Sequence, residues 1–263
     1  MRFNSTFLLA TACTLALAAV GPAAPGSADS GQSQRDGEVM AAQERFDQSY
    51  ELSAGAEVSI EGIAGPVTIE TTSGNRAEVH VVRMARTQRE LDCYRTAVEA
   101  SRNRLRIEHV QDDTPGCQSI RSRQEVRLSL PRSANVELTS IAGRLEIGEL
   151  EGHLTLESIA GQVTLARVRS ASLSSLAGGL SLNVDRLDPR GVQISSVVGG
   201  VELGFGANAN ADVEVSSVMG SVRSESPSLR LYGEDQAYRV RVGDGGPDLT
   251  VSSIVGRVRL RSF

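Results

Sequence analysis

One short phrase recurs six times in the second half of this chain. Each copy reads apolar residue, polar residue, serine, two apolar residues and glycine, and the copies occupy residues 138–143, 156–161, 173–178, 194–199, 215–220 and 251–256. The closing glycines are 18, 17, 21, 21 and 36 residues apart. Repetition at such a period is typical of solenoid proteins, in which each repeat forms one rung of a stack.

Apolar and polar residues alternate on both sides of each phrase, as at Val192, Ile194, Val201 and Leu203. A period of two residues is typical of strands that bury one face. Residues 136–263 are therefore predicted to form a single-stranded β-solenoid (β-helix) with a narrow aliphatic core. Aromatic residues make up only 3% of the chain, which favours a narrow core over a large irregular one.

The interval between Gly220 and Gly256 lacks the phrase but keeps the alternation, at Leu229-Arg-Leu231 and Tyr238-Arg-Val240. It holds either one degenerate rung or a projecting hairpin. Neither alternative is excluded by the pattern.

Residues 46–135 are predicted to form a β-rich cap that covers one end of the stack. Within this cap Leu91, Tyr94, Val98 and Ser101 are three or four residues apart. That spacing places them on one face of a helix, and we predict one helix over about residues 88–102.

The start of the chain has the features of an export signal. Arg2 precedes an apolar run. Small residues near residue 28 follow this run and form a cleavage site for signal peptidase. We predict a signal peptide over residues 1–28 and a flexible leader over 29–45, with no transmembrane anchor after cleavage. Lipidation at Cys13 stays open, because the residues before it resemble a lipobox only in part.

Two cysteines, Cys93 and Cys117, remain once the signal is removed. An even number of cysteines in an exported protein suggests a disulfide. The alternative is two unrelated buried thiols. Neither cysteine lies near a histidine at the spacing of zinc ligands, and we expect no metal.

The serines and glycines of the phrase are the most regular candidate residues. Stacked rungs would align them in columns, and a structural role at the rung corners is preferred over a hydroxyl-rich binding stripe. The predicted corner residues are Ser140, Gly143, Ser158, Gly161, Ser175, Gly178, Ser196, Gly199, Ser217, Gly220, Ser253 and Gly256.

No catalytic or cofactor-binding residue is predicted. The three histidines, His80, His109 and His153, lie outside the serine register, so no serine–histidine nucleophile is expected. The acids of the rungs share no column that would suit a glycosidase; they are Glu146, Glu157, Asp185, Asp188, Glu202, Asp212 and Glu214. The net charge is −5 and all 27 basic residues are scattered arginines, which argues against nucleic acid as a partner.

The chain resembles the DUF4097-type family of bacterial adhesin-like β-strand-repeat proteins in three features: the corner phrase, the predicted helix leading to Leu105-Arg-Ile107, and the segment Val126-Arg-Leu-Ser-Leu-Pro131-Arg-Ser-Ala-Asn-Val136-Glu-Leu138. The resemblance covers roughly residues 46–263 and implies a right-handed β-solenoid in the cell envelope, with no catalytic residue. Family members typically carry an aspartate after the repeat glycine. This chain has Arg144, Gln162, Gly179, Gly200, Ser221 and Arg257 there, so no role of that aspartate transfers.

These observations favour a non-enzymatic, exported cell-envelope protein, periplasmic or secreted, that contacts another macromolecule in an adhesin-like manner. Two alternatives remain. One is a carbohydrate-active β-helix enzyme, and the other is a regulatory protein of envelope stress that acts through a protein partner. The ligand, the partner and the oligomeric state are unknown from the sequence.

Overall fold

The computed structural model describes residues 40–112, 114, 116–117, 122–233 and 237–263. Most of these residues lie in strands, and one short helix, α1 (Gln88–Asp92), interrupts them. The strands are β1 (Ala42–Glu51), β2 (Glu57–Glu61), β3 (Val67–Thr72), β4 (Arg76–Ala85), β5 (Tyr94–Ser101), β6 (Arg104–Gln111), β7 (Arg123–Pro131), β8 (Asn135–Ala142), β9 (Leu145–Val184), β10 (Val192–Phe205), β11 (Ala211–Ser224), β12 (Ala237–Val242) and β13 (Asp248–Ser262).

The core is aliphatic and follows from the alternation in the sequence. On β13, for example, Leu249, Val251, Val258 and Leu260 are completely buried, whereas Arg259 between the last two is exposed. One large cluster of buried side chains runs from the first strands to the last. The predicted narrow core of leucine, isoleucine and valine is therefore present.

The strands belong to one mixed 13-stranded sheet, which curls around the core and nearly closes on itself. Antiparallel pairs join β1 to β4, β4 to β7, β5 to β6 and β11 to β12. The pairs that join two copies of the recurring phrase are parallel, such as β9 with β10 and β10 with β13. The predicted fold, a single-stranded right-handed β-solenoid with a β-rich cap that contains one α-helix, is wrong.

The order of the strands in the sheet also differs from that of a single-stranded solenoid. In a single-stranded solenoid successive rungs would stack in chain order, but β13 lies between β10 and β11 and pairs with both. The sixth phrase thus enters the sheet between the fourth and the fifth. Nearly identical phrases can pair in any order, because each offers its neighbours the same backbone and the same small side chains.

The predicted helix over residues 88–102 is also wrong beyond its first turn. Thr87 caps α1, since its side chain accepts a hydrogen bond from the Glu90 backbone N–H at 3.2 Å. After α1 the chain forms β5, which pairs with β6 through a two-residue turn between Ser101 and Arg104. Val98 fits both a helical and an alternating pattern, and pairing across this hairpin selects the strand.

Two further boundaries differ from expectation. β1 begins at Ala42, inside the predicted leader over residues 29–45, and is held by antiparallel pairing with β4. The interval between Gly220 and Gly256 contains β12, which pairs antiparallel with the first half of β11. The predicted signal peptide over 1–28, Cys13 and residues 29–39 of the leader lie outside the described residues.

Candidate functional site

The glycines that close the recurring phrases lie in one continuous file across the sheet. Strand register places Gly199 beside both Gly178 and Gly256, and Gly220 beside Gly256. Close backbone contacts extend the file to the earlier members, and the full order is Gly65, Gly143, Gly161, Gly178, Gly199, Gly256 and Gly220.

Only glycine fits at these positions. A Cβ atom on Gly199 would overlap the carbonyl oxygen of Gly178, and the backbone φ of Gly199 is +144°. Both the contact and the backbone angle exclude larger residues. The glycines therefore let neighbouring strands turn at the same place and pack closely.

The serines of the phrase form a second column, which we call the serine column: Ser140, Ser158, Ser175 and Ser196. All four have φ between 54° and 58° and are solvent-exposed. Positive φ is unusual for a residue with a side chain, and it marks a local bend. The structural role predicted for these serines at the corners stays a prediction. Ser217 and Ser253 continue the phrase in β11 and β13, but their side chains lie outside the described part.

The residue before each glycine forms a third column, which is apolar and exposed. We call it the apolar ridge, and its members in spatial order are Ala64, Ala142, Ala160, Ala177, Val198, Val255 and Met219. Val198 is 60% exposed, Val255 48% and Met219 70%. Seven neighbouring chain segments spaced by about 4.8 Å give the ridge a length of about 29 Å.

The ridge and the serine column run side by side because a single buried residue separates them in each phrase. In the fourth copy Ser196 and Val198 face solvent while Val197 between them is 1% exposed. The columns themselves consist of serine, alanine, valine and methionine, so they carry no titratable group. Together they form a flat, uncharged surface along one line of corners.

A separate polar groove of 520 Å³ lies over β2, β6, β8 and the part of β9 just before the second copy of the phrase. It contains Glu57 and Glu61, but Arg104 lies 3.1 Å from Glu57 and Arg106 lies 3.6 Å from Glu61. Each of these two acids is therefore paired with an arginine. The groove is a second, polar candidate surface.

His153 at the margin of this groove belongs to a hydrogen-bonded chain that the sequence analysis missed. Its Nδ1 lies 3.0 Å from the Ser170 Oγ and its Nε2 lies 3.2 Å from the Ser172 Oγ. Ser170 is completely buried and its hydroxyl also bonds to Asp188. If the Ser170 hydroxyl donates a hydrogen bond to Asp188, its oxygen accepts one from the Nδ1–H of His153. The Nε2 of His153 then accepts a hydrogen bond from the Ser172 hydroxyl. His153 precedes these serines by 17 and 19 residues, which is one repeat period, and that spacing was the available signal.

This chain of contacts resembles the hydroxyl–imidazole part of a hydrolase, but its position in the sheet argues against nucleophilic catalysis. A serine nucleophile needs N–H donors that point at the developing oxyanion. Ser172 lies within β9 in register with Gln193 of β10, and N–H groups of paired strands point along the sheet, perpendicular to the side chains. We interpret the chain as a structural polar network.

The other partly buried histidine, His109, lies near the disulfide. Its ring stacks on Tyr94 with 4.8 Å between centroids, and its Nδ1 is bonded to the Gln124 amide. Burial lowers the pKa of His109, and the nearby Arg83 lowers it further. Burial also lowers the pKa of His153, with a further decrease from Arg190 that Asp188 opposes.

These shifts predict a pH dependence of stability. Both histidines have a lower pKa in the folded chain than the ordinary value near 6.5, so the unfolded chain binds protons first as the pH falls. We expect the free energy of unfolding to decrease as the pH is lowered from about 7.5 to about 5. Urea titrations at several pH values measure this free energy. His109→Gln and His153→Gln should each reduce the slope of the free energy of unfolding against pH. A wild-type stability that rises toward pH 5 would contradict this.

The predicted disulfide is confirmed. Cys93 and Cys117 are bonded, with Cα atoms 5.4 Å apart. Both are buried with Tyr94 in a small cluster, and the Gln111 side chain donates a hydrogen bond to the Cys117 carbonyl at 2.7 Å. The bond ties the loop after β6 to the end of α1.

In the described part of the chain no helix has the length and apolar character needed to cross a membrane. The same residues contain no cluster of three or more histidine, cysteine, aspartate or glutamate side chains suited to a metal ion. The candidate site consists of the serine column and the apolar ridge.

Comparison with known proteins gives distant structural matches only. No family model and no curated protein matches the chain. A protein from Clostridium sporogenes that is provisionally named a cell adhesion protein is 11% identical, with 84% of this chain and 100% of that chain covered and a TM-score of 0.38. A provisionally named adhesin from Bacteroides fragilis is 9% identical over 84% of this chain and 97% of that chain, with a TM-score of 0.30.

A third match, provisionally named a lipid binding protein, comes from Parabacteroides distasonis. It is 11% identical over 83% of this chain and 96% of that chain, with a TM-score of 0.23. At these scores the matches carry no argument about function, and membership of the DUF4097-type family stays a prediction.

Proposed function

We propose that this protein is a non-enzymatic cell-envelope protein that binds an extended macromolecular partner along the apolar ridge and the serine column. The observation that carries the proposal is the continuity of these two exposed columns over neighbouring strands. Contiguous apolar residues on a surface mark sites of interaction. The small side chains keep the surface flat, so that a long partner can approach closely.

The chemistry of the surface supports binding and not reaction. Alanine and valine side chains supply apolar contact, and each exposed hydroxyl of the serine column can donate and accept a hydrogen bond. The repeat of about 4.8 Å between strands offers the same pair of contacts at each step. A linear polymer or an extended protein segment of the envelope matches such a surface better than a compact small molecule does.

Export to the envelope is part of the proposal. The apolar run after Arg2 supports a secretory signal, and the Cys93–Cys117 disulfide supports an oxidising compartment. An adhesin-like role in the envelope combines both features with the ridge.

Charged substitutions on the ridge test the proposal. Ala177→Glu combined with Val198→Glu places two carboxylates where the partner would desolvate them. We expect sedimentation with isolated cell-envelope material to weaken by about tenfold or more, which is a loss of about 1.4 kcal/mol or more in binding. Circular dichroism checks that the exposed substitutions leave the fold intact.

The matched control is Gln193→Glu, which adds negative charge at an exposed position of β10 outside the ridge. It should bind envelope material as the wild type does. If the ridge variant bound envelope material as strongly as the wild type does, the ridge would not be the binding surface. Release of soluble sugars from the material by the wild-type protein would instead favour the carbohydrate-active alternative.

A further inference from the structure

The second half of β11, Val218–Ser224, is an open edge of the sheet, which we call the terminal edge. β13 pairs with β11 along both of its halves, from Asp212 to Ser224. On the other side β12 pairs only with Ala211–Ser216. Within the described ranges no strand pairs with the outer side of the terminal edge.

Two observations show that this edge can accept another strand. The file of glycines ends at Gly220, which contacts Gly256 on its inner side and has no following glycine in the file. Met219 beside it has the most exposed large apolar side chain of the described residues, at 70%. Unpaired backbone N–H and C=O groups next to exposed apolar surface form a template for strand addition.

The other edge strands carry the charges with which proteins usually block such pairing. β1 exposes Glu44, Arg45 and Asp47, whereas β12 exposes Arg239 and Arg241. β5, at the edge of its hairpin, likewise exposes an arginine and a glutamate.

The terminal edge has a single charged residue, Arg223. It is therefore the least protected of the edges in the part of the chain that the structure describes.

We propose that a second copy of this chain pairs antiparallel with the terminal edge and forms a two-fold symmetric dimer. Symmetric dimers use one self-complementary surface twice, and the edge meets this condition. A two-fold axis near Ser221 places Met219 of one copy opposite Arg223 of the other. The aliphatic part of the arginine side chain can then cover the exposed thioether while its guanidinium stays in water.

The arrangement has a consequence for the apolar ridge, which ends at Met219. Pairing of the two terminal edges places the ridges of both copies on the same face of one continuous sheet, offset by four residues along the strands. Two linked binding surfaces bind a polymeric partner more tightly than either does alone. The dimer itself does not depend on what the ridge binds.

Molar mass in solution tests the proposal with the full chain as it is exported. Light scattering during size-exclusion chromatography should give the mass of two chains at about 100 µM, where a Kd of about 10 µM yields mostly dimer. Met219→Lys, which places a charge on the edge, should weaken the dimer by about 100-fold or more and give a single-chain mass. Hydrogen exchange at the amides of Val218–Ser224 should slow with rising concentration in the wild type but not in Met219→Lys.

Val198→Lys is the matched control, because Val198 is a ridge residue on an inner strand with partners on both sides. It should remain dimeric. A wild type with the mass of one chain at every concentration overturns the proposal. A dimer that survives Met219→Lys but dissociates with Val198→Lys also overturns it, since the copies would then meet through the face of the ridge.

Discussion

Replacing Gly199 with alanine is expected to abolish or severely weaken folding, with a loss of more than about 4 kcal/mol in the free energy of unfolding. The new Cβ atom would overlap the carbonyl oxygen of Gly178, and the φ of +144° is unfavourable for alanine. The strands cannot separate locally, because Gly199 pairs on both sides within the file of glycines. Urea or thermal unfolding followed by circular dichroism measures the loss.

The neighbouring glycine supplies the control. A Cβ atom on Gly200 would have no atom within 4 Å, and its φ lies outside the region reserved for glycine. Gly200→Ala is therefore expected to leave stability unchanged or to raise it by up to about 1 kcal/mol through a less flexible unfolded chain. If Gly199→Ala cost no more than Gly200→Ala, the file of close glycine contacts would be incorrect.

Removal of the disulfide is expected to have the second largest effect. The bond joins residues 24 apart in sequence, and in the chain-entropy model the loss for such a loop is about 3 kcal/mol. Cys93→Ala combined with Cys117→Ala should lower the urea midpoint accordingly. The effect should reach the whole sheet, since β6, which leads into the bridged loop, pairs with β2.

Reduction of the wild type offers an independent measurement. Wild-type protein treated with a thiol reductant should unfold at the midpoint of the double variant, and the double variant should not respond to reductant. An unchanged midpoint in both experiments would mean that the loop is already ordered without its bond. Non-reducing electrophoresis confirms the state of the cysteines in each sample.

The apolar alternation was a reliable guide to the buried residues of this protein. Val192, Ile194, Val201 and Leu203 were predicted to face inward from their period of two, and all are at most 1% exposed. Burial is a property of each strand taken separately, and the side-chain alternation specifies it. The two cysteines were likewise paired from their number and from the export signal alone.

The candidate site was only partly visible from the sequence. The serines and glycines were predicted to align, but Ser196 was expected in a tight corner and is exposed with a φ of +54°. Val198 lies outside the alternation that predicts the buried residues, but the sequence did not indicate that it belongs to an exposed apolar column. Its position between the inward Val197 and a turning glycine places it outside instead.

The sequence by itself determined that this protein consists of strands with an aliphatic core, and it favoured recurring glycines at the turns and a bond between Cys93 and Cys117. These features depend on local alternation, on backbone freedom and on residue number. Tertiary structure alone decided that β13 enters between β10 and β11, that β5 is a strand, and that β1, β4 and β12 run antiparallel to their neighbours. The physical reason is that backbone hydrogen bonds accept any strand of matching length and register, so the choice among similar partners is made by the packing of the whole sheet.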